Sequence, residues 1–255
     1  MAKLLLDAGG DVNVHQKISF RNPSSFPSAL MIALRRVIMG PCNYRCQLAL
    51  VPFLLERGAD PNAIERNGVT ALMTACNNGG IPPVIIKQLL DRGAVVDTPS
   101  SDNGFTALMG ASLHKLFPAA KLLVERGANV NASRTIDTMS PLLFACTKDS
   151  CYSKNALSLS LVRFLLDKGA AVNVSRERRV EGENFQGYDD GMTPLMLLAL
   201  SPPQEGLADT VAYLLEKGAD ARAVNKAGKS ALDLVTCKTV QRVLKKWLKY
   251  GVLSK

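Results

Sequence analysis

Histidine is almost missing from this chain, with only His15 and His114 in 255 residues. Catalysis needs a nucleophile or a metal with a positioned base, and neither histidine sits in a recognisable motif. No phosphate-cradling Gly-rich loop, Gly-x-Ser-x-Gly elbow or His-Glu-x-x-His helix is present either. No catalytic residue, cofactor or small-molecule substrate is therefore expected. Six cysteines are too sparse for a disulfide scaffold, so they are read as thiols of a reducing compartment. Cys42, Cys46, Cys146 and Cys151 could hold zinc only if two distant segments met, and packed thiols are the reading adopted. No apolar run approaches the roughly 18 residues that span a bilayer, and Asp7 interrupts the opening apolar run too early for a signal peptide. Cytoplasm or nucleus is the expected location, with no secretion.

What the chain does contain is repetition. AKLLVERGANVNAS, from Ala120, returns as VRFLLDKGAAVNVS, from Val162, forty-two residues later. A Gly followed by Ala or Gly recurs at Gly9, Gly58, Gly93, Gly127, Gly169 and Gly218, and the shorter steps of 35 and 34 residues define one unit. Each Gly has the short apolar run of a helix end before it and suits the left-handed residue that closes a helix. Downstream come SALM at Ser28, TALM at Thr70 and Thr106, SPLL at Ser140, TPLM at Thr193 and SALD at Ser230. All six begin with Ser or Thr, the N-cap chemistry of a helix, and Pro141 and Pro194 fall at the first helical position. Thr106 to Gly127 leaves room for two short helices and a tight turn, whereas GADPNAIERNGVT reads as a hairpin-like loop. Each unit is a loop, an inner helix and an outer helix, giving an all-α repeat solenoid with short β-hairpin loops.

These landmarks make the chain similar to ankyrin-repeat proteins, whose unit pairs a T-P-L-H-x-A-A start with an L-L-L-x-x-G-A-D-V-N-A finish. The resemblance implies a single array over 1–255. Its parts are a partial repeat at 1–14, full repeats at 28–62, 70–97, 106–131, 140–173 and 193–222, and a capping repeat at 230–251. Where the family places His, this chain has Met31, Met73, Met109, Leu143, Met196 and Asp233, which predicts adaptable packing and looser hairpins. The chain begins inside a repeat, so the first outer helix is expected to follow a truncation or to be capped by another segment. Asn13, Asn62, Asn131 and Asn173 resemble hairpin asparagines that some family members have hydroxylated. Bonding to their own loop backbone accounts for them without modification.

Insertions carry the functional information of such an array. Segments 35–47 and 147–160 predict longer inner helices and bigger turns. The longest, 174–191, is an inserted hairpin loop with Arg176, Arg178 and Arg179 at its start and Phe185 and Tyr188 within it, the residue types that anchor interfaces. The function this implies is a non-enzymatic protein–protein interaction scaffold with a concave surface. Its partner-binding residues would be Ile64, Glu65, Arg66, Arg134, Thr135, Ile136, Val224 and Lys226 together with the inserted loop. The formal charge is +9, and Lys238, Arg242, Lys245, Lys246, Lys249 and Lys255 follow Asp233 with no further acid. This basic terminal helix supports the alternative, binding of nucleic acid or an anionic membrane.

Overall fold

A computed structural model describes residues 10–13, 28–36, 44–79, 81–147, 158–177 and 190–251. The chain divides into two compact units, Met1–Ala128 and Asn129–Lys255. In the first, α1 (Ala29–Arg36), α3 (Ala71–Cys76) and α5 (Ala107–Leu113) pack side by side as an inner row. Their partners α2 (Tyr44–Glu56), α4 (Pro83–Asp91) and α6 (Phe117–Glu125) form an outer row against them. The second unit repeats the plan. Its inner row is α7 (Pro141–Cys146), α9 (Pro194–Leu200) and α11 (Ala231–Leu234), and its outer row is α8 (Leu159–Asp167), α10 (Leu207–Glu216) and α12 (Lys238–Tyr250). Among the described residues, β structure is limited to two isolated bridges, Ile64 with Thr70 and Val224 with Ser230.

The local chemistry explains the plan. Inner helices start where a hydroxyl accepts from the amide three residues on: Met31 N–H to Ser28 Oγ at 3.3 Å, Met73 to Thr70 Oγ1 at 3.2 Å, Leu143 to Ser140 Oγ at 3.3 Å. Thr106 and Thr193 do the same for Met109 and Met196 at 3.4 Å. At Ser230 the third helical residue reaches back instead, with Asp233 Oδ2 accepting from Ser230 N–H and Oγ at 2.8 and 2.6 Å. These bonds hold the carboxyl of Asp233 below its ordinary range.

Outer helices end alike. Gly58, Gly93, Gly127, Gly169 and Gly218 all have φ between 84° and 96°, a region an L side chain resists. That turn lets the next alanine amide reach back to the helix, as Ala59 N–H does to Leu54 O at 2.9 Å and Ala170 N–H to Leu165 O at 3.0 Å.

The core lies between the two rows of each unit. Leu30, Met31, Leu72, Leu108 and Met109 are essentially sealed from solvent in the first unit, as are Leu142, Leu143, Leu161 and Leu198 in the second. A six-residue helix is marginal alone, so burial of such side chains at about 1.5–3 kcal/mol each is what holds these short elements. Of the six residues at the family's His position, Met31, Met73, Met109, Leu143 and Met196 are buried, while Asp233 is exposed.

The insertions act on more than the inner helices. In the first repeat both helices are long: α1 has 8 residues against 6 in α3 and 7 in α5, and α2 has 13 against 9 in α4, while residues 37–43 lie outside the described residues. In the fourth repeat the inner helix α7 keeps 6 residues, because the C-cap Thr147, extended at ψ 141°, already ends it; the extra residues 148–157 lie outside the described residues.

Candidate functional site

Five hairpin tips precede inner helices, and each is closed around one residue. Glu65, Ser100, Arg134, Arg176 and Asn225 each donate their N–H to the far side of the loop: to Val69, Phe105, Met139, Met192 and Lys229 carbonyls at 2.9, 2.9, 3.0, 3.1 and 3.0 Å. Each also accepts at its own carbonyl from the left-handed residue of the tip: Gly68, Gly104, Thr138, Gly191 and Gly228. The tips therefore keep their closing bonds although Met, Leu or Asp stands where the family has His.

Neighbouring hairpins are then tied together. Ser101 N–H donates to Asn67 O at 2.8 Å in the first unit, and Lys226 N–H donates to Asp190 O at 2.9 Å in the second. At Thr138 the tie takes an unusual form, because a β-branched residue is held at φ 52° where the other four tips have glycine. Its hydroxyl donates to Ser175 O and accepts from Glu177 N–H, both at 2.8 Å. These two bonds offset the strain and hold the start of the long inserted loop. Its other end is held by Asp190, whose carboxylate also meets Lys226 Nζ at 3.2 Å.

A second set of ties runs from each hairpin to the helix end of the next repeat. Asn13 Nδ2 donates to Gly58 O at 3.0 Å and its Oδ1 accepts from Asp60 N–H at 2.8 Å. Asn62 clamps Gly93 O and Val95 N–H at 2.9 and 2.8 Å, and Asn131 clamps Gly169 O and Ala171 N–H at 3.0 and 2.7 Å. Asn173 clamps Gly218 O and Asp220 N–H at 2.9 Å each. The asparagines thus bond the following repeat rather than their own loop, which corrects the reading made from sequence. The reason is geometric: the left-handed glycine leaves a carbonyl and a nearby amide facing the preceding hairpin, a donor–acceptor pair that a carboxamide matches.

Comparison with known proteins agrees with this geometry. The family profile "Ankyrin repeats (3 copies)" matches residues 38–134 and "Ankyrin repeat" matches 190–226, together just over half the chain. The ankyrin repeat domain of Bcl-3, a solved structure, superposes with a TM-score of 0.60 at 25% identity, over 95% of this chain and 90% of that one. The human ASB11 ankyrin repeat domain gives a TM-score of 0.62 at 24% identity, over 99% and 93% of the two chains. This chain is an ankyrin-repeat protein. Among curated relatives, the mouse B-cell lymphoma 3 protein homolog is 35% identical over 49% of this chain and 26% of its own length. Human ankyrin repeat and SOCS box protein 6 is 29% identical over 69% of this chain and 41% of its own. The chain thus spans between a quarter and two-fifths of these relatives.

Within this ankyrin frame the sequence-selected residues separate into groups. Ile64, Thr135, Val224 and Lys226 are exposed on hairpin tips, with Ile64 at 56% and Val224 at 58%; Ile136 is half-buried. Arg178, Arg179, Phe185 and Tyr188 lie outside the described residues, as does the side chain of Arg66. Glu65, Arg134 and Arg176 do not belong with the exposed group. They fill the tip-closing position, and the backbone bonds made there turn the side chain inward. Glu65 is 9% and Arg176 7% exposed.

Each inward charge is handled differently. Glu65 forms an ion pair with Arg35 on α1, yet burial outweighs that attraction and raises its carboxyl above the ordinary value. Arg134 lies 3.5 Å from Asp137 and stacks 6.0 Å from the centre of the Phe144 ring. Arg176 is buried between the two ends of the inserted loop, where its N–H and carbonyl close the neck. Sequence reasoning also missed Val95, an apolar tip residue 56% exposed, because it follows Gly-Ala rather than the hairpin turn.

Of the two histidines, His15 lies outside the described residues. His114 caps α5, is buried, and its Nε2 lies 3.3 Å from Asn77 Oδ1. Cys76, Cys146 and Cys237 are buried thiols that form no disulfide, and burial pushes Cys76 up to about 12. The side chains of Cys42, Cys46 and Cys151 lie outside the described residues. Among the described residues no group of His, Cys, Asp or Glu could hold a metal, and no helix is long and apolar enough to cross a membrane.

Proposed function

We propose that this ankyrin-repeat protein works by binding rather than catalysis, as a scaffold that presents its hairpin tips to a protein partner. The observation that carries this reading is that tip positions are fixed before any partner arrives. Every described tip is closed by two backbone bonds, with Ile64, Val95 and Val224 left exposed at or beside hairpins. An apolar side chain on a preordered tip loses little conformational freedom on docking, so its burial appears as affinity. Thr135 and Lys226 would add polar contacts at the same level, with Ile136 and Arg66 beside them. Phe185 and Tyr188, with Arg178 and Arg179, would extend the surface from a loop whose two ends are tied to neighbouring hairpins.

The experiment is affinity capture from host extract with three forms of the full chain: unaltered, Ile64→Glu with Val224→Glu, and Phe185→Ala with Tyr188→Ala. A partner held by the unaltered chain and lost with either variant is the expected result. A captured set that neither variant changes, with folding intact by circular dichroism, would sink the proposal.

A further inference from the structure

Residues 234–255 contain six Lys or Arg and no acid, against a formal charge of +9 for the whole chain, and five of the six, Lys238, Arg242, Lys245, Lys246 and Lys249, lie on one helix. Helix α12 organises it. Val240 and Leu244 are fully buried on the side packed against α10, and Trp247 and Leu248 are half-buried beside them. Lys238, Arg242, Lys245 and Lys249 are exposed on the opposite side. At 3.6 residues per turn these four fall within an arc of about 60°, with Lys246 at its edge. Among the described residues, none of Lys238, Arg242 and Lys245 has a carboxylate at ion-pair distance, whereas the outer-helix lysines Lys87, Lys121 and Lys217 are paired with Asp91, Glu125 and Asp167. A solvated cap needs polarity, but it does not need one sign of charge along one side of a helix, with Lys238, Arg242 and Lys245 facing no carboxylate among the described residues.

We infer that this stripe binds the phosphate backbone of a nucleic-acid duplex, without reading its sequence. The stripe covers about 16 Å of helix from Lys238 to Lys249, with its four cations about 4.5–6 Å apart along the axis, and long flexible lysine side chains can reach separate phosphates of a strand whose phosphates are about 3.4 Å apart along the duplex axis. An anionic membrane fits less well, because a helix that anchors in a bilayer inserts its apolar face, and here that face is already buried against α10. The side chains are point-charge lysines with a single arginine, suited to phosphates rather than to bidentate contacts with base edges. This inference is independent of the protein-docking surface on the hairpins.

The test is fluorescence anisotropy of a labelled duplex of about 20 arbitrary base pairs, titrated with the full chain from about 50 to about 200 mM NaCl. Four or five phosphate contacts give a log–log salt slope of about −4, a loss of about two orders of magnitude in affinity across that range. Lys238→Glu/Lys245→Glu/Lys249→Glu, all at exposed positions, should flatten the slope by about 3 and weaken binding about a hundredfold. The corresponding triple Lys→Arg variant should bind like the unaltered chain, and Lys87→Glu/Lys121→Glu on the outer helices should leave the slope unchanged. The proposal is overturned by an unaltered chain whose slope is flat, or by charge reversals on α12 that leave the duplex affinity where it was. It is equally overturned if the chain sediments with phosphatidylserine-containing vesicles while showing no salt-dependent duplex binding.

Discussion

Replacing Asn62 by Ala should uncouple two successive repeats without touching the core. Asn62 is half-exposed, and its side chain makes the two clamp bonds to the next repeat, donating to Gly93 O and accepting from Val95 N–H. A net hydrogen bond contributes about 0.5–1.5 kcal/mol, and partial rehydration of the freed groups puts the loss for both near 1–2 kcal/mol. Asn62→Asp separates the two halves of the clamp: the carboxylate still accepts from Val95 N–H but has no donor for Gly93 O, so its loss should approach that of Ala. The converse exists in the chain itself. Asp97 occupies the clamp position ahead of Gly127, and a carboxylate offers that carbonyl no N–H. Asp97→Asn should therefore stabilise by up to about 1 kcal/mol. Urea unfolding of the full chain reads all three, and amide exchange at Val95 reads the clamp locally, with about tenfold faster exchange for each 1.4 kcal/mol lost. If Asn62→Ala left stability and Val95 exchange unchanged, or Asp97→Asn destabilised, the clamp would not be what couples the repeats.

Other consequences follow from the tips and the buried groups. Thr138→Val keeps the strained φ and loses both hydroxyl bonds, so it should destabilise by about 2–3 kcal/mol, whereas Thr138→Ser should stay within about 0.5 kcal/mol; thermal unfolding distinguishes them. Glu65 has its folded-state value raised above the ordinary 4.5 by burial, so its contribution to stability is full below that pH and is lost as pH rises through the folded value. The stability difference between the native chain and Glu65→Gln, followed by urea unfolding from acid to neutral pH, should show that slope; a difference flat with pH would refute the burial argument. Cys76, with its thiol pushed up to about 12, should resist iodoacetamide until the protein unfolds. Cys237, whose value is lowered by the Thr239 hydroxyl and the Val240 amide, should alkylate ahead of it in peptide mapping.

Much of the array was legible because its punctuation is local chemistry. The six Ser/Thr starts and the Gly ends require only a hydroxyl near a free amide and a backbone that turns left-handed, and both are visible in a few consecutive letters. The family letters give the pairing of helices in the same way. Side-chain direction at the tips was not legible. Glu65, Arg134 and Arg176 are long, charged and variable, which reads as surface. Yet Ile64, just before Glu65, and Val224, just before Asn225 in the same register, are apolar in sequence and exposed, because register within a closed two-residue-period loop decides direction before polarity does. A signal did exist: Ser100 and Asn225, two small turn-forming residues, occupy the same register and would have identified the position as internal.

That register also explains how the array tolerates such different residues in one place. The closing bonds are made by backbone atoms, so any residue can occupy the position once its side chain finds company inside. Asn225 satisfies it by accepting from the Ala227 and Lys229 amides at 3.1 and 2.9 Å, and Ser100 by accepting from the Phe105 amide at 2.9 Å. A long charge there takes partners beyond the closing bonds, Glu65 from α1 through Arg35, and Arg134 from Asp137 of its own hairpin and Phe144 of α7. Substitution at this position therefore alters contacts between elements more than it alters the outer surface, whereas substitution one residue earlier, at Ile64 or Val224, changes what the tip offers and leaves the fold alone. Recognition can diversify at the second kind of position because stability has been delegated to the first.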